Sequence, residues 1–266
     1  MFELIINILL FIFLGFTFFT HVLEAAVPAS VARNPYALQP DVWPKTIIIL
    51  LEICIITRHL VVKPLLQYSQ SIQRGQIFPV VGAAELQELA LTYNEVYREN
   101  QETQKLIRHE AEHDALTDAL NRGSFEKILN IYEGGEKPFA MIICDIDIFK
   151  QVNDLHGHTV GDLILRKVAR LLTTTFRSID YVCRIGGDEF AVIMVNVGRE
   201  LSHTVSDKIE LINDALSNPT DGLPAVSLSV GVAFTDRENP GESIFKDADQ
   251  ALYRVKQNGK HDCGFY

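Results

Sequence analysis

Cysteine is scarce in this chain, and so are the patterns that give cysteine a structural or metal-binding role. The 266 residues include four cysteines, and none of them lies in a CxxC pair or a cysteine–histidine cluster: Cys54, Cys144, Cys183 and Cys263. The sequence therefore predicts neither a disulfide framework nor a zinc site. We interpret the four residues as small buried hydrophobic side chains of a protein in a reducing compartment.

An excess of positive charge is also missing. Lys and Arg number 24 against 34 Asp and Glu, so the formal net charge is -10. Because nucleic-acid binding depends largely on cations that neutralise phosphates, we expect no nucleic-acid partner. Hydrophobic residues make up 47% of the chain and the mean hydropathy is +0.11. That is apolar for a soluble protein and directs attention to membrane segments.

The first apolar run, Leu4–Leu23, is almost uninterrupted. About 20 apolar residues form a helix long enough to cross a bilayer. A cleaved signal peptide is the alternative, but such a peptide begins with positive charge. The residues before this run include Glu3 and no Lys or Arg. The sequence predicts an uncleaved transmembrane anchor.

The second apolar run, Val42–Val62, contains Glu52, Arg58 and His59. A charge near the bilayer centre costs about 2.5–3.5 kcal/mol on insertion scales, so a buried or interfacial helix is the alternative to a second crossing. The Lys and Arg bias places the chain after this run on the cytoplasmic side and the short loop 24–43 outside. We therefore expect a membrane anchor of one or two transmembrane helices over residues 1–62.

Residues 63–112 have the order helix, connector, helix. Pro64 suits an early helix position, and two glycines and a proline lie in the connector. Apolar residues then recur at intervals of three and four, a stripe typical of a coiled coil: Leu86, Leu89, Tyr93 and Val96. The stretch resembles a HAMP signalling linker. From its pattern alone it is a dimerising stalk, and both interpretations place two chains side by side.

From residue 113 to the C terminus, apolar runs of strand length alternate with amphipathic helical patterns. FAMIICD (Phe139–Asp145) is a short strand that ends in a carboxylate, and the runs YVCRI and EFAVIMV flank a glycine pair as a hairpin. A fourth strand is expected in AVSLSVGVAF, and helices are expected over 159–176, 201–216 and 242–259. The sequence predicts an α/β domain over residues 113–266, with one sheet and helices on its faces.

The glycine pair of RIGGDEF, Gly186 and Gly187, is followed at once by Asp188 and Glu189. We expect the glycines to adopt positive φ and to let a bulky substrate approach the backbone. Asp145 is expected alongside, on a neighbouring strand. Converging carboxylates repel one another unless a cation lies between them, which indicates a Mg²⁺ site that also takes phosphate oxygens. A solvated hairpin tip with ordinary surface acids is the alternative.

RIGGDEF, with DIDIFKQVNDLHGHTVGD upstream, closely resembles the GGDEF family of diguanylate cyclases. The resemblance covers about Asp114–Tyr266 and rests on five blocks in order: DALTDALNR, DIDIFKQVND, GHTVGD, RIGGDEF and ADQALYRVKQNGK. It implies an α+β domain whose central sheet is like that of nucleotidyl cyclases and polymerase palms. It also implies condensation of two GTP into cyclic di-GMP and two pyrophosphates, Mg²⁺ as cofactor with Mn²⁺ as an alternative, and a place at the cytoplasmic (inner) membrane of a bacterium.

The resemblance further implies roles for single residues. The metal ligands are Asp145, the Ile146 carbonyl and Asp188, and the catalytic signature is completed by Gly186, Gly187 and Glu189. Two positions match those that hydrogen-bond the guanine edge, Asn153 and Asp162. The phosphate-binding positions are Ile148, Phe149, Lys150, Lys256 and Lys260. Where the family usually has an arginine, Lys260 keeps the charge but loses the bidentate fork.

Each of these positions has a simpler structural alternative. Asp162 is then a helix cap and Asn153 a turn residue. Lys256 and Lys260 then complement a helix C terminus. We interpret DALTDALNR as a structural junction, and the histidines of LHGH, His156 and His158, as loop packing rather than metal ligands.

RSID, Arg177–Asp180, is separated by five residues from the GGDEF signature. In the family this spacing marks an inhibitory product site. A guanidinium and a carboxylate on one turn suit the phosphate and the guanine base of cyclic di-GMP. A surface ion pair is the alternative for such a short pattern.

The resemblance also implies a homodimer, because each domain of the family binds one GTP and two domains must face each other. A non-catalytic receptor for GTP or cyclic di-GMP, signalling through the stalk, is a rival from a different class. The complete set of glycines and acids argues against it. An adenylyl-cyclase-like enzyme or a polymerase palm shares paired carboxylates at strand ends, but the full signature and Asp162 favour a diguanylate cyclase.

Overall fold

A computed structural model of the protein describes residues 42–266, in two compact units whose boundary lies between Asn100 and Gln101. The predicted anchor Leu4–Leu23 lies outside the described residues, as does nearly all of the predicted loop 24–43. All four cysteines are free, and Cys144 and Cys183 are buried, as expected of small hydrophobic residues.

The described part of the first unit, from residue 42 onward, contains two consecutive helices and the start of a third. Helix α1 covers Val42–Thr57, a π-helical turn covers Arg58–Val62, and α2 covers Lys63–Gln73. Pro64 lies in the first turn of α2, as predicted. After the connector, α3 begins at Ala84 and ends at Glu112, within the second unit.

Across residues 42–266, no helix combines the length and the hydropathy that a bilayer crossing requires. The structure therefore does not support the second crossing predicted for Val42–Val62.

The connector is held to α2 and α3 by a small aromatic cluster. The Phe78 ring stacks between those of Tyr68 and Tyr93, at centroid distances of 4.6 and 3.7 Å. The Asn94 side chain accepts from the Phe78 N–H at 2.6 Å and donates to the Phe78 carbonyl at 2.8 Å. The predicted stripe on α3 is thereby divided: Tyr93 packs against this cluster, whereas Leu89 and Val96 are about half exposed.

The second unit is built on a five-stranded sheet. Its strands are β1 (Phe139–Ile146), β2 (Tyr181–Arg184), β3 (Glu189–Val195), β4 (Leu228–Phe234) and β5 (Cys263–Phe265), in the order β2-β3-β1-β4-β5. Neighbouring strands are antiparallel except for the parallel pair of β4 and β5. The four predicted strands and the β2–β3 hairpin are confirmed. The three-residue β5 was not predicted.

Five helices of the second unit follow α3 in the chain: α4 (Arg122–Glu133), α5 (Phe149–His156), α6 (His158–Thr175), α7 (Ser202–Ser217) and α8 (Ile244–Gln257). A 3₁₀ turn at Arg199–Leu201 precedes α7. The predicted helices correspond to α6, α7 and α8, with ends within two residues. The domain is thus the predicted α/β arrangement of one sheet with helices on its faces.

Strand β1 lies in the middle of the sheet, and both of its faces are covered. Phe139, Met141 and Ile143 belong to one buried cluster, with residues of α4 and α8. Ala140 and Ile142 belong to the other, with residues of α6 and α7. Because successive side chains of a strand point to opposite faces, a strand covered on both sides is apolar at every position. This explains why the run FAMIIC shows no alternation before Asp145.

Helix α8 lies directly on β4 at Gly231. A Cβ atom at this position would lie 2.2 Å from the Ala248 carbonyl oxygen and 2.3 Å from the Leu252 nitrogen. No side chain fits, so glycine sets the distance between the sheet and α8. The last turn of the same helix contains Lys256.

Candidate active site

Strands β1 and β3 bring the predicted acids to one end of the sheet. Asp145 lies opposite Glu189 in the antiparallel register. The Ile146 N–H donates to the Asp188 carbonyl oxygen at 3.2 Å. Asp145 and Asp188 are partly buried, and Glu189 is exposed. The strand order therefore places Asp145 beside the GGDE turn, as predicted.

The turn itself closes on Glu189, whose carbonyl oxygen accepts from the N–H groups of Ile185 at 3.0 Å and Gly186 at 3.3 Å. The prediction that the glycines adopt positive φ is wrong, since neither Gly186 nor Gly187 has a left-handed φ. A Cβ at Gly186 would lie 2.6 Å from a Glu189 carboxylate oxygen and 3.3 Å from the Glu189 Cβ, so a side chain there would require the exposed Glu189 side chain to move. A Cβ at Gly187 would meet nothing within 4 Å, so this peptide is open to an approaching molecule.

The DALTDALNR block is joined to the GGDE turn through Arg184. Arg184 donates through one guanidinium nitrogen to the Asp114 carboxylate at 2.9 Å and through another to the Gly187 carbonyl at 2.8 Å. Asp114 also accepts from the backbone and the hydroxyl of Thr117. Asn121 caps α4 by accepting from the Ser124 N–H at 2.9 Å. These contacts agree with the structural interpretation of the block.

The Asp145 carboxylate lies in a mostly buried environment, close to other acids. Its side chain is 15% exposed, and its carboxylate lies 2.7 Å from the Lys256 Nζ. Burial raises the pKa of Asp145, and the nearby charges of Asp188 and Asp147 raise it further, although Lys256 acts in the opposite direction. Hard carboxylate oxygens that repel one another form the donor set that a divalent cation such as Mg²⁺ prefers. The residues at this site therefore fit the predicted cofactor.

The raised pKa of Asp145 predicts that Asp145→Asn is at least as stable as the parent when Mg²⁺ is absent. A raised folded-state pKa means that the contribution of this group to stability is full below its ordinary pKa of about 3.9 and is lost as the pH rises through the raised value. At pH 7 we expect the substitution to raise the free energy of unfolding by about 0.5–1 kcal/mol. Denaturant titrations at pH 7 and at low pH measure the difference, which vanishes at low pH.

The exposed Asp207 of α7 provides the control, because Asp207→Asn changes an acid outside this environment. Mg²⁺ is expected to stabilise the parent and the control but not Asp145→Asn. A clear loss of stability in Asp145→Asn at pH 7 would contradict this prediction, because it would show that the Asp145 carboxylate stabilises the fold.

Asp147 is a residue of the site that the sequence analysis did not single out. It is 4% exposed, and its carboxylate accepts from the hydroxyls of Ser227 at 2.6 Å and Ser229 at 2.7 Å. It also accepts from the His261 N–H at 3.3 Å. Asp147 thus ties the end of β1 to β4 and to the loop after α8. The sequence signal was the second carboxylate of the DID pattern, two residues after Asp145.

Asn153 and Asp162 lie on consecutive helices, α5 and α6, and both structural alternatives for them are wrong. Asn153 is inside a helix rather than a turn, and Asp162 is inside α6, whose N-cap is Gly157. A Cβ at Gly161 would lie 2.0 Å from the Asn153 Oδ1, so the glycine makes room for the amide. That Oδ1 is buried and has no hydrogen-bond partner. Asp162 directly follows Gly161 in the sequence and is exposed.

The predicted phosphate positions lie at two places around the end of β1. Helix α5 begins at Phe149, and the preceding Ile148 has a left-handed φ of 57° and gives no side-chain cap. The N–H groups of the first turn, which includes Lys150, are therefore free for an anion. Lys260 is exposed in the loop after α8, next to the residue whose N–H binds Asp147. Lys256 is paired with Asp145 rather than with the helix C terminus.

Arg177 and Asp180 form an internal pair. Arg177 donates through Nε at 3.0 Å and through a terminal nitrogen at 2.8 Å, a bidentate contact. Asp180 also accepts from the Arg177 and Val195 N–H groups. The Asp180 side chain is fully buried, whereas that of Arg177 is 41% exposed. The carboxylate therefore has a structural role at the end of β3, and the guanidinium remains accessible.

His156 is the last residue of α5 and His158 is the first residue of α6, and both are exposed on either side of Gly157. Neither belongs to the group of converging ligand atoms found among residues 42–266. The interpretation as loop packing is therefore wrong, since both histidines are helical and exposed, and the structure gives neither a place in that group of ligand atoms.

Comparison with known proteins identifies this architecture. The family model for the diguanylate cyclase GGDEF domain matches residues 111–262, which is more than half of the chain. The crystal structure of the coiled coil and GGDEF domain of DgcB from Caulobacter crescentus, in complex with c-di-GMP, is 29% identical. It covers 67% of this chain and 97% of that one, with a TM-score of 0.57.

Curated relatives include diguanylate cyclases DgcM and DosC of Escherichia coli K12. DgcM is 32% identical over 170 residues, or 61% of this chain and 40% of the relative. DosC is 33% identical over 166 residues, or 59% of this chain and 36% of the relative. The matched part spans less than half the length of these relatives. By its matched family model, its signature turn and its sheet, the chain belongs to the GGDEF diguanylate cyclase family.

Proposed function

We propose that the protein is a diguanylate cyclase that joins two GTP molecules into cyclic di-GMP. In each half of the reaction a 3′-hydroxyl attacks an α-phosphate, the bond to the β-phosphate breaks and pyrophosphate leaves. The observation that carries the proposal is the register of β1 and β3, which sets Asp145 opposite the GGDE turn beside an open Gly187 peptide. The membership of the family, in which the curated relatives are named as diguanylate cyclases, supports it.

Asp145, the Ile146 carbonyl and Asp188 are the residues that would hold Mg²⁺, with Mn²⁺ as the alternative. Mg²⁺ is usually bound by one or two protein carboxylates together with substrate phosphates, which matches two acids on adjacent strands. When bound, the ion polarises the α-phosphate and favours loss of the proton from the attacking hydroxyl. Glu189, which is exposed next to Asp188, supports the same pocket.

Asn153 and Asp162 are proposed to select guanine. The buried Asn153 Oδ1 lacks a donor, and leaving such an acceptor unsatisfied costs about 1–3 kcal/mol. The guanine N1–H and N2–H₂ groups can donate hydrogen bonds to the Asn153 Oδ1 and to the Asp162 carboxylate. Adenine presents an acceptor at N1 and no amino group at C2, so the same residues disfavour ATP.

The phosphates are proposed to lie against the first turn of α5 and the two late lysines. The free N–H groups at Phe149 and Lys150 follow the left-handed Ile148, and a helix N terminus favours anions. Before nucleotide binds, Lys256 pairs with the Asp145 carboxylate and neutralises its charge. On binding, Lys256 and Lys260 contact the terminal phosphates.

The ring of cyclic di-GMP contains two nucleotides, so two half-sites from two chains must face each other. Catalysis then depends mainly on proximity and orientation of the 3′-hydroxyl relative to the α-phosphate on the partner. We propose that the HAMP-like segment 63–112 holds two chains together at high effective concentration. Leu89 and Val96, half exposed on α3 of the single chain, supply apolar surface for this pairing.

A chain that begins at Gln101, the first residue of the second unit, is expected to lose activity on dilution more steeply than the full chain. This start keeps the Ala111 and Glu112 carbonyls that accept from Asn121 and Ser124. Without the stalk, the rate per chain is expected to fall in proportion to concentration at the dilute end. Equal rates per chain for both proteins at every dilution would contradict the role of the stalk.

Product inhibition through the RxxD pair predicts two effects of Arg177→Ala. The concentration of cyclic di-GMP that halves the rate is expected to rise at least about tenfold, because the accessible guanidinium no longer contacts the product. The substitution is also expected to cost about 3 kcal/mol of stability, since it leaves the buried Asp180 carboxylate without its cation. Rates with added product and a denaturant titration measure the two effects separately.

Arg166→Ala removes an exposed arginine of α6 and is the matched control, with neither effect expected. If Arg177→Ala loses stability but keeps the inhibition of the parent, the pair is structural only.

We further propose that Leu4–Leu23 anchors the protein in the cytoplasmic membrane of a bacterium, with the catalytic domain on the cytoplasmic side. The apolar run supports the anchor, and the absence of Lys and Arg before Leu4, against their presence after Leu23, supports this orientation. Separation of membranes from soluble extract, followed by protease protection of intact spheroplasts, tests both parts. Recovery of the full chain in the soluble fraction would contradict the anchor.

The proposed reaction is tested by its stoichiometry. The full chain in detergent, supplied with Mg²⁺ and GTP, is expected to release one pyrophosphate for each GTP consumed, with no inorganic phosphate when pyrophosphatase is absent. ATP is expected to give no turnover. Release of inorganic phosphate together with GDP would identify a hydrolase instead.

A further inference from the structure

A cluster of three side chains lies where α3 ends, away from the GGDE turn in sequence. His109 Nε2 is 2.7 Å from the Asp118 carboxylate oxygen, and His113 Nδ1 is 3.9 Å from the same oxygen. The His113 N–H donates to the His109 carbonyl at 2.9 Å, so the helical turn continues between the two residues. Their rings stack at a centroid distance of 3.9 Å. Two imidazoles therefore lie on one face of a helical turn, with a carboxylate beside them.

The spacing of these atoms fits a small metal ion. Zn²⁺ takes imidazole nitrogens and carboxylate oxygens at about 2.0–2.2 Å in a tetrahedron, which puts neighbouring ligand atoms about 3.3 Å apart. The separations of 2.7 and 3.9 Å lie on either side of this value. All three ligand atoms lie within 4.8 Å of one another, and within residues 42–266 they form the one such group of histidine, cysteine and acidic residues. Two histidines four residues apart are also the spacing by which a helix chelates zinc.

The hydrogen bonds already present do not explain the cluster as well as an ion does. The side chains of His109 and Asp118 are 51% and 79% exposed, and a pair exposed to this degree adds at most about 1 kcal/mol to stability. Exposure also leaves the cluster open to an ion from solution. His113 Nδ1 now contacts the Asp118 carbonyl at 2.7 Å, and binding replaces that contact with a bond to the metal.

We propose that His109, His113 and Asp118 bind one divalent transition-metal ion of the Zn²⁺ class, with water in the fourth position. Imidazole ligands favour such ions, whereas the carboxylates around Asp145 favour Mg²⁺, so the two sites differ in the metal that they take. The cysteine pattern gave no sign of this site, because none of its ligands is a thiolate. The ion links the end of α3 to the loop that follows it. The proposal is independent of the reaction proposed above.

Co²⁺ is the probe, because its visible absorption bands report a four-coordinate site directly. The full chain in detergent is titrated with Co²⁺ in the presence of excess Mg²⁺, which occupies the carboxylate site. We expect absorption bands that saturate at one Co²⁺ per chain and disappear when Zn²⁺ is added. Zn²⁺ is also expected to raise the melting temperature of the parent, because a ligand that binds the folded state stabilises it.

Three substitutions test the ligands: His109→Ala, His113→Ala and Asp118→Asn. Each is expected to weaken Co²⁺ binding at least about tenfold and to abolish the shift in melting temperature on adding Zn²⁺. All three side chains are at least partly exposed, so the variants are expected to fold, and their melting temperature in chelator checks this. His203→Ala is the matched control, an exposed histidine on α7 that is outside the cluster.

Two results would overturn the proposal. The first is the absence of a four-coordinate Co²⁺ spectrum at saturating metal. The second is unchanged affinity and spectrum in the double variant of His109 and His113, which would place the bound ion elsewhere.

Discussion

Asp188→Ala is expected to lower the rate of cyclic di-GMP formation by at least about a hundredfold, because it removes a charge that is proposed to hold Mg²⁺ against the reacting phosphate. Asp188 immediately precedes β3, and its carbonyl accepts from the Ile146 N–H. That backbone contact does not need the carboxylate, so the sheet is expected to survive the change. Initial rates with saturating Mg²⁺ and GTP measure the effect.

A measurement of stability distinguishes the loss of a catalytic carboxylate from general damage to the fold. The carboxylate of Asp188 raises the pKa of its neighbour Asp145, after the larger effect of burial, so its removal relieves repulsion. Asp188→Ala is expected to melt at or slightly above the temperature of the parent, and the control Asp207→Ala is expected to keep full activity. A variant of Asp188 with more than a tenth of the parent rate would contradict the assignment of this acid.

Gly231→Ala is expected to cost about 3 kcal/mol of stability or more, because the new methyl group meets backbone atoms of α8 at 2.2 and 2.3 Å. Backbone cannot move aside as a flexible side chain does, so the whole helix must shift. For a chain of this size, this cost lowers the melting temperature by about 6–12 °C. Activity is expected to fall as well, since α8 positions Lys256 against Asp145. Thermal denaturation and initial rates measure both losses.

Gly187→Ala is the matched control, because the same methyl group there meets no atom within 4 Å. It is expected to leave the melting temperature unchanged and to lower the rate, since the Gly187 peptide faces the proposed substrate. Equal stability of the two alanine variants would show that α8 does not lie as close to β4 as the structure has it.

The sheet could be predicted from the sequence where its strands are long and apolar. FAMIICD and EFAVIMV have lengths and compositions that a buried strand requires, and the glycine pair identified YVCRI as the hairpin partner of EFAVIMV. The strand β5, Cys263–Phe265, is stabilised by pairing with β4 rather than by its own composition. Three residues are too few for a periodic pattern, so no local signal could have revealed it.

The sequence was enough to predict which acids lie together at the site. It was not enough to predict the side-chain contacts that determine the geometry of the site. Asp145 and the GGDE turn are adjacent because β1 pairs with β3, which the strand ends anticipated. Gly186 lies against the Glu189 side chain and does not have a left-handed φ. Such a contact depends on side-chain positions that the sequence does not specify. Asp147 was missed for the same reason, since its hydroxyl partners at Ser227 and Ser229 are about 80 residues away in the chain.

The RxxD pair combines an observed structural contact with a proposed product site. Its spacing from the signature pointed to a product site, and the structure places Asp180 in a buried ion pair that also holds the Val195 N–H. An assay of inhibition alone therefore mixes binding with folding, and stability must be measured beside it.

The most direct test of the account is the identity of the product made by the full chain. GTP and Mg²⁺ are added to the purified protein in detergent, and the nucleotides are identified by mass, with Asp188→Ala run in parallel. The account predicts cyclic di-GMP from the parent and none from the variant. Tight binding of cyclic di-GMP without any product, from a parent protein that is folded and dimeric, would contradict it and favour a non-catalytic receptor.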